Sequence, residues 1–335
     1  MKAFPIVAAA LLGAAWTAPA IAQQVDWRHP QSGIRLEGDL GGMQPSRERD
    51  LSDGAGLDVY FQLGTNDEMV TFYVYRSAYP NAALWYERTR HAMALNVGSG
   101  SVSAEPRQMS LGGANVNGLR EEFDLPAGGP FRSTAVAIAH AGEWMVKIRI
   151  SSASLGREEV AAKMDRLIAA VRLPEDAPTA ARPLTVPAPC ASSTESKARQ
   201  RQRPSSSQVA AAAVGGIEVL AEARGHGGLA AEPSAWCRVA SNLPTQIVSA
   251  YRHQQTGAWV VLVGDSGRAV AARALEPGGR NAAVYVSSAR STGVAGLYDG
   301  LPGVDEAVAA AIPVVAGQAP PLAEVSLTQK GGGRR

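Results

Sequence analysis

The stretch Leu57-Asp58-Val59-Tyr60-Phe61-Gln62-Leu63-Gly64-Thr65-Asn66-Asp67-Glu68-Met69-Val70-Thr71-Phe72-Tyr73-Val74-Tyr75 decides the fold. Both ends are rich in β-branched and aromatic residues, and the Gly-Thr-Asn-Asp segment between them carries turn chemistry, so the stretch reads as an antiparallel hairpin. Pro80 closes the second strand and Asn81 is placed to cap a helix over 82–95, in which Ala82, Trp85, Tyr86, Thr89, Ala92 and Met93 fall near one face. Working outward, Ile34 and Leu36 mark a short opening strand, and 118–123, 133–139 and 143–150 read as further strands. The last two are joined tightly through His140-Ala141-Gly142. Val160, Met164, Leu167, Ile168 and Val171 recur at helical spacing, which predicts a closing helix with Ser154 as N-cap and Pro174 as its stop. Residues 26–173 therefore read as one α+β domain.

The second half has a different texture. Pro174, Pro178, Pro183, Pro187, Pro189 and Pro204 punctuate 174–207, which reads as a Pro/Ser/Arg-rich linker with too little apolar surface to order itself. Its basic run, Lys197, Arg199, Arg201 and Arg203, reads as solvated; the alternative is contact with an anionic lipid surface. Residues 208–316 read as a smaller α+β domain. It has a helix over 208–223 interrupted at Gly215-Gly216, strands at 237–240, 246–252, 258–263, 268–275 and 283–287, and a helix over 304–311. The tail 317–335, with Pro320-Pro321 and a Gly-Gly-Gly-Arg-Arg end, is expected to be flexible. Tyr73-Val74 through Tyr86-Glu87 echoes Tyr285-Val286 through Tyr298-Asp299, which leaves open a duplication of one half into the other.

Export is written at the start of the chain. Lys2 precedes an apolar run from Ala3 to Trp16, and Ala20-Ile21-Ala22 offers small residues to a signal peptidase. The run is shorter than the ~20 residues a membrane span needs, so residues 1–22 read as a signal peptide rather than an anchor. The mature product is expected in the periplasm or outside the cell, with no transmembrane segment after signal removal. Hydrophobic residues at 46% and charged residues at 19% place the chain among ordinary globular proteins. A net charge of +2 gives no case for a nucleic-acid partner. The two cysteines, Cys190 and Cys237, read as a disulfide in an oxidising compartment. A redox pair would favour Cys-x-x-Cys spacing, and no histidine cluster accompanies them as it would in a metal site.

Each residue group that suggests chemistry has a plainer reading. Gly264-Asp265-Ser266-Gly267 resembles the nucleophile segment of chymotrypsin-like proteases, but it sits between Val260-Val261-Leu262-Val263 and Ala269-Val270-Ala271 and reads as a hairpin turn. The histidines nearest in sequence are His226 and His253. None of His29, His91, His140, His226 and His253 pairs with another at metal-ligand spacing, and His140 reads as a turn residue. Glu121-Glu122-Phe123-Asp124 reads as a solvated face or strand end rather than paired acid–base carboxylates. Gly98-Ser99-Gly100 and Gly112-Gly113 lack the Lys-Ser/Thr ending of a phosphate loop. Tyr73, Tyr75, Tyr79, Trp85 and Tyr86 form a candidate binding surface if their face is open, and core if the 160–171 helix covers it; domain size favours core.

The order of elements over 26–173 resembles the α/β sandwich of the PsbP-like superfamily. The resemblance rests on the opening strand, the hairpin ending in Val70-Thr71-Phe72-Tyr73-Val74-Tyr75, the helix with Trp85-Tyr86-Glu87-Arg88, the further strands and the closing helix. The stretch is also similar to exported bacterial proteins of unknown function that share such a Thr-x-Tyr-x-Tyr strand and a Trp-x-x-Lys-x-Arg strand, here Trp144-Met145-Val146-Lys147-Ile148-Arg149. The resemblance implies an antiparallel sheet flanked by helices and a non-enzymatic accessory or binding role. It transfers no functional residues and implies no cofactor.

The expected function is that of a non-enzymatic envelope accessory or binding protein of unknown ligand, its partner an envelope protein or an anionic surface. The alternatives are a serine hydrolase using Ser266 with His253 or His226, and an envelope structural protein contacting anionic lipid through the basic linker. Protein recovered from the periplasm is predicted to start at Gln23 on N-terminal sequencing; recovery of the intact Met1 form from that fraction would contradict the export reading.

Overall fold

Strand alternation sorts the side chains of the first half onto two faces, and that sorting builds everything else. The structure, a computed structural model, describes residues 24–97, 102–103, 105–112, 118–175, 184–191, 196, 198–222, 235–244, 248–265, 267–276 and 279–326. The signal segment 1–22 lies outside them. In chain order the first half runs β1 (Val25–Arg28), β2 (Arg35–Gly38), β3 (Gln44–Asp50), β4 (Asp58–Gly64), β5 (Glu68–Arg76) and α1 (Ala82–Val97). It continues with β6 (Val102–Ser103), β7 (Arg107–Met109), β8 (Gly118–Asp124), β9 (Ser133–Ala141), β10 (Trp144–Ser152), α2 (Arg157–Ala170) and β11 (Val171–Arg172). The second half runs α3 (Ser206–Glu222), β12 (Trp236–Val239), β13 (Val248–His253), β14 (Trp259–Val263), β15 (Arg268–Ala274), β16 (Ala282–Ser287), β17 (Ser291–Tyr298), α4 (Val304–Val315) and β18 (Glu324–Ser326).

The chain is α+β, with antiparallel sheets. β4 and β5 form the expected hairpin, Asp58 opposite Tyr75 and Gly64 opposite Met69. The main sheet of the first half has the order β3-β4-β5-β10-β9-β8-β6, with β7 also paired to β8. Val70, Phe72, Val74, Val146, Ile148 and Ile150 point to one side, where Val160, Met164 and Leu167 of α2 and the small sheet β1-β2-β11 close the core. Each such fully buried aliphatic or aromatic side chain contributes about 2 kcal/mol relative to exposure. The second half is a seven-stranded meander, β12 through β18 in sequence order. One face of it is covered by Ala307, Val308 and Ala311 of α4.

The two halves share a core. Tyr75, Val136, Ile138 and Met145 on the far face of the first sheet pack with Ala82, Leu84, Trp85 and Tyr86 of α1 and with Trp236, Tyr251, Val260, Leu262 and Ala271 of the second sheet. The rest of that second-sheet face is covered by α3. Here Tyr285 donates its hydroxyl to Ala212 O (3.2 Å), and a Cβ on Gly215 would lie 2.3 Å from that hydroxyl oxygen. The Gly215-Gly216 pair therefore does not interrupt the helix. It lets the helix lie close on the sheet, at a helix-propensity cost of about 1 kcal/mol per glycine.

Several expectations are corrected. The 174–207 segment is not a free tether where it is described. Leu184 exchanges two hydrogen bonds with the Gln108 side chain (2.6 and 3.1 Å), and Leu184 and Val186 pack against the shared core. Arg238 accepts from Cys190 N–H and donates its own N–H to Ala188 O, both at 2.8 Å. Arg201 donates its backbone N–H to Leu297 O and its guanidinium to Asn281, also at 2.8 Å. The Cys190–Cys237 disulfide is present. Its 47-residue separation removes about 4 kcal/mol of unfolded-chain entropy on the chain-entropy account. The tail is not wholly free either, because Glu324–Ser326 pairs with β17 as the last strand. The N-cap of α2 is Gly156, whose N–H donates to Glu159 (2.8 Å), so Ser154 is not its cap. The duplication fails on topology: Tyr86 is helical while Tyr298 ends a strand, and β10 returns beside β5 in the first sheet where the second simply meanders. No helix of the described residues is long and apolar enough to cross a membrane.

Candidate functional site

The far face of the first sheet is where functional side chains gather. On β5, Thr71, Tyr73 and Tyr75 alternate with the core residues Val70, Phe72 and Val74; on β10, Met145, Lys147 and Arg149 alternate with Val146 and Ile148. The register sets Tyr73 opposite Lys147, Thr71 opposite Arg149, and Tyr60 opposite Tyr73. Neighbouring strands thus stack Tyr60, Tyr73 and Lys147 across the sheet. The tyrosine rings are 5.7 Å apart, and Lys147 Nζ lies 4.5 Å from the centre of the Tyr73 ring.

Half of this face is closed by the second sheet. The tyrosine cluster divides along that boundary: Tyr75, Tyr79, Trp85 and Tyr86 are buried, and only Tyr73 stays half-buried. The cover is α1 and the second sheet, not the 160–171 helix, which lies on the opposite side.

The closing contact is the 264–267 turn. Asp265 takes Arg88 Nη1 on one carboxylate oxygen and Lys147 Nζ on the other, each at 2.8 Å. Gly267 O accepts Ala78 N–H at 2.7 Å. Gly267 has φ +66°, and a Cβ there would sit 2.9 Å from Arg76 O, so glycine is required both by the turn and by the approach. α1 reciprocates with the neighbouring residue: Glu87 accepts a hydrogen bond from Tyr251 Oη (2.6 Å) and forms an ion pair with the Arg238 guanidinium, its Nε 3.0 Å away. Ser266 and His226 lie outside the described residues. His253 sits at the far end of the β13–β14 pair from this turn, about 15 Å away at ~3.3 Å per residue. Its Nδ1 is engaged by Thr256 and its ring packs on Trp236.

The remaining sequence candidates are structural. His140 Nε2 accepts the Ala82 N–H at the start of α1 (2.9 Å), and burial pulls its pKa down to about 4. His29 is buried between Trp27 and Trp144, also held at about 4 by burial. Glu121 and Glu122 are not a solvated face. They are 0% and 2% exposed on opposite faces of β8, Glu121 bound by Tyr86 and Arg90, Glu122 by Arg120 and Arg107. An open groove of about 610 Å³ between β7, β8 and α2 is lined by Arg107, Glu122, Arg157 and Asp165, and these charges pair within the fold. Among the described residues no three His, Cys, Asp or Glu side chains converge as metal ligands.

Two acids at the closing contact are perturbed in opposite directions. Burial pushes Asp265 up, but Lys147 and Arg88 outweigh it and hold the carboxyl at about 2. Asp58, on the same face, is 5% exposed, and its Oδ1 has no hydrogen-bond partner. Burial, then Asp50 and Asp265, raise it to about 7 against the opposing pull of Lys147 and Arg268. Sequence reading missed Lys147 and Asp58, although a lysine and an aspartate inside β-rich runs were the available signal.

The open half of the face carries Tyr60, Gln62 and Tyr73, all half-buried, with Arg149 beside them and Arg47 and Arg49 exposed on the edge strand β3. Arg49 lies opposite Tyr60, Arg47 lies opposite Gln62, and the Arg47 guanidinium stands 5.8 Å from the Tyr60 ring centre. Arg149 Nε is buried without a hydrogen-bond partner. None of Arg47, Arg49 and Arg149 forms an ion pair among the described residues.

Because Asp58 titrates at about 7 when folded and near 3.8 when unfolded, the folded chain holds a proton that the unfolded chain releases, and stability falls as pH rises from about 4 through 7. Asp58→Asn is predicted to remove that loss, gaining roughly 2–4 kcal/mol over the parent at pH 8 and little at pH 4. The check is urea unfolding of both proteins at the two pH values; a parent-to-variant difference that does not change with pH would contradict it.

Neither a protein-family model nor a curated protein sequence matches the chain. Among solved structures, the chain is similar to the solution structure of cyanobacterial PsbP (CyanoP) from Synechocystis sp. PCC 6803, with a TM-score of 0.34 and 13% identity, over 46% of this chain and 95% of that one.

Proposed function

We propose that this chain is a non-enzymatic, exported accessory or binding protein of the bacterial envelope, and that it binds through the open half of the first sheet. One observation carries the reading. A sheet face that is sealed by α1 and the second sheet over half its width is left open over the other half, with two half-buried tyrosines and three arginines that form no ion pair among the described residues. Tyrosine and arginine are the side chains that most often carry binding energy at protein surfaces. The sealed half supports the non-enzymatic part: Asp265 is committed to Arg88 and Lys147, and His253 lies a strand's length away. Export rests on the charged, apolar and small-residue plan of residues 1–22, and the Cys190–Cys237 disulfide agrees with an oxidising compartment.

A fluorophosphonate probe tests the choice against a serine hydrolase. Folded mature protein is predicted to take up no label. A covalent adduct that disappears in Ser266→Ala would overturn the non-enzymatic reading.

A further inference from the structure

We propose that the open face receives an extended acidic polypeptide segment from a partner protein, added as a new strand along β3 with its acidic side chains at alternate positions. The inference rests on the binding reading above and names the class of partner.

Three features converge. β3 ends the first sheet's strand order, and no further strand pairs with it among the described residues. An edge strand presents unpaired backbone N–H and C=O groups, which a second polypeptide can pair and a lipid headgroup or glycan cannot pair as a ladder. The side chains of β3 alternate in charge: Arg47 and Arg49 share the face of Tyr60 and Tyr73, whereas Glu48 and Asp50 point to the other side. An added strand places every second residue directly beside Arg47 and Arg49, so carboxylates at those positions meet two guanidinium groups that form no ion pair among the described residues. Arg149, with its buried Nε unbonded, lies further in on the same face, in register with Arg47, Gln62 and Thr71. The 610 Å³ groove lies elsewhere, against α2.

The same alternation argues against a second copy as the occupant. Antiparallel pairing of two β3 edges would set the Arg47 and Arg49 faces together, a like-charge arrangement that is unfavourable. Pro45 lacks a backbone donor, and the register shifts between Pro45 and Arg47, so the usable edge is the short 46–50 stretch. A short edge, two cations and one aromatic pair fit a transient contact of modest affinity.

The test uses the mature full-length chain and a fluorescent twelve-residue peptide of alternating glutamate and valine. Two further peptides serve as controls, one with lysine for glutamate and one N-methylated at alternate backbone amides. The acidic peptide is expected to bind by anisotropy. Affinity should fall about tenfold or more on Arg47→Glu plus Arg49→Glu, and again when salt rises from about 50 to about 500 mM. The N-methylated peptide should bind much more weakly. Thermal unfolding of the double variant, whose changes are exposed, reports that it is folded. Equal binding of the lysine peptide, or affinity unchanged in the double variant, overturns the proposal. Vesicles of phosphatidylglycerol and a polyuronate are run beside the peptides, with amide exchange followed over 46–50 and 58–64. Protection of those residues by either of these alone overturns the polypeptide assignment and leaves the binding face standing; protection by none of the probes removes both.

Discussion

Lys147 and Arg88 are cations withdrawn from water, and Asp265, delivered by a turn of the other sheet, balances both. A buried charge is costly unless paired and hydrogen-bonded. That single constraint fixes how the halves sit. It holds the 264–267 turn against β5, β10 and α1, requires glycine at 267, and leaves Tyr75, Trp85, Trp236 and Tyr251 in one apolar layer. The reversed pair one residue earlier on α1, Glu87 with Arg238 and Tyr251, makes the match directional, because a shifted register would set like charges together.

The partial cover decides which side chains of the first sheet reach solvent. A face sealed completely would be core, and a face left wholly open would expose a large apolar patch. Here the apolar part, Tyr75, Val136, Ile138 and Met145, is sealed, and the part left to solvent is the aromatic and cationic part, Tyr60, Tyr73, Arg149 and the arginines of β3. The second half thus shapes the surface that the first half presents.

Much of this was legible in the sequence, and the failures share one cause. Periodicity located the β4–β5 hairpin, strands β8 to β10, α1 with its Asn81 cap and the apolar stripe of α2, because local alternation reports directly on a half-buried strand or helix. It missed β3, whose Gln-Pro-Ser-Arg-Glu-Arg-Asp sequence is polar on both faces as an edge strand can be, and the short pairings of β1, β11 and β18. It misjudged Leu184, Arg201 and Glu324–Ser326 because their partners, Gln108, Asn281 and β17, lie 76, 80 and about 30 residues away in sequence. The tyrosine cluster was read as core, but its cover was the second sheet, which no local pattern could announce. Of the candidate site, Tyr73 and Tyr75 were visible; Lys147, Arg149 and Asp265 acquire their roles only when the sheets meet.

The most direct measurement is a double-mutant cycle on the closing contact, Lys147→Met and Asp265→Asn, followed by urea unfolding of the parent, both single variants and the double. If Asp265 is the counter-charge that seats the second sheet on the first, each single change destabilises, and the double costs less than the sum by about 1–2 kcal/mol. That figure is moderated because Asp265 is 44% exposed. Additivity within about 0.3 kcal/mol would mean that the two groups are neighbours without being partners, and the account of how the halves are joined would be wrong.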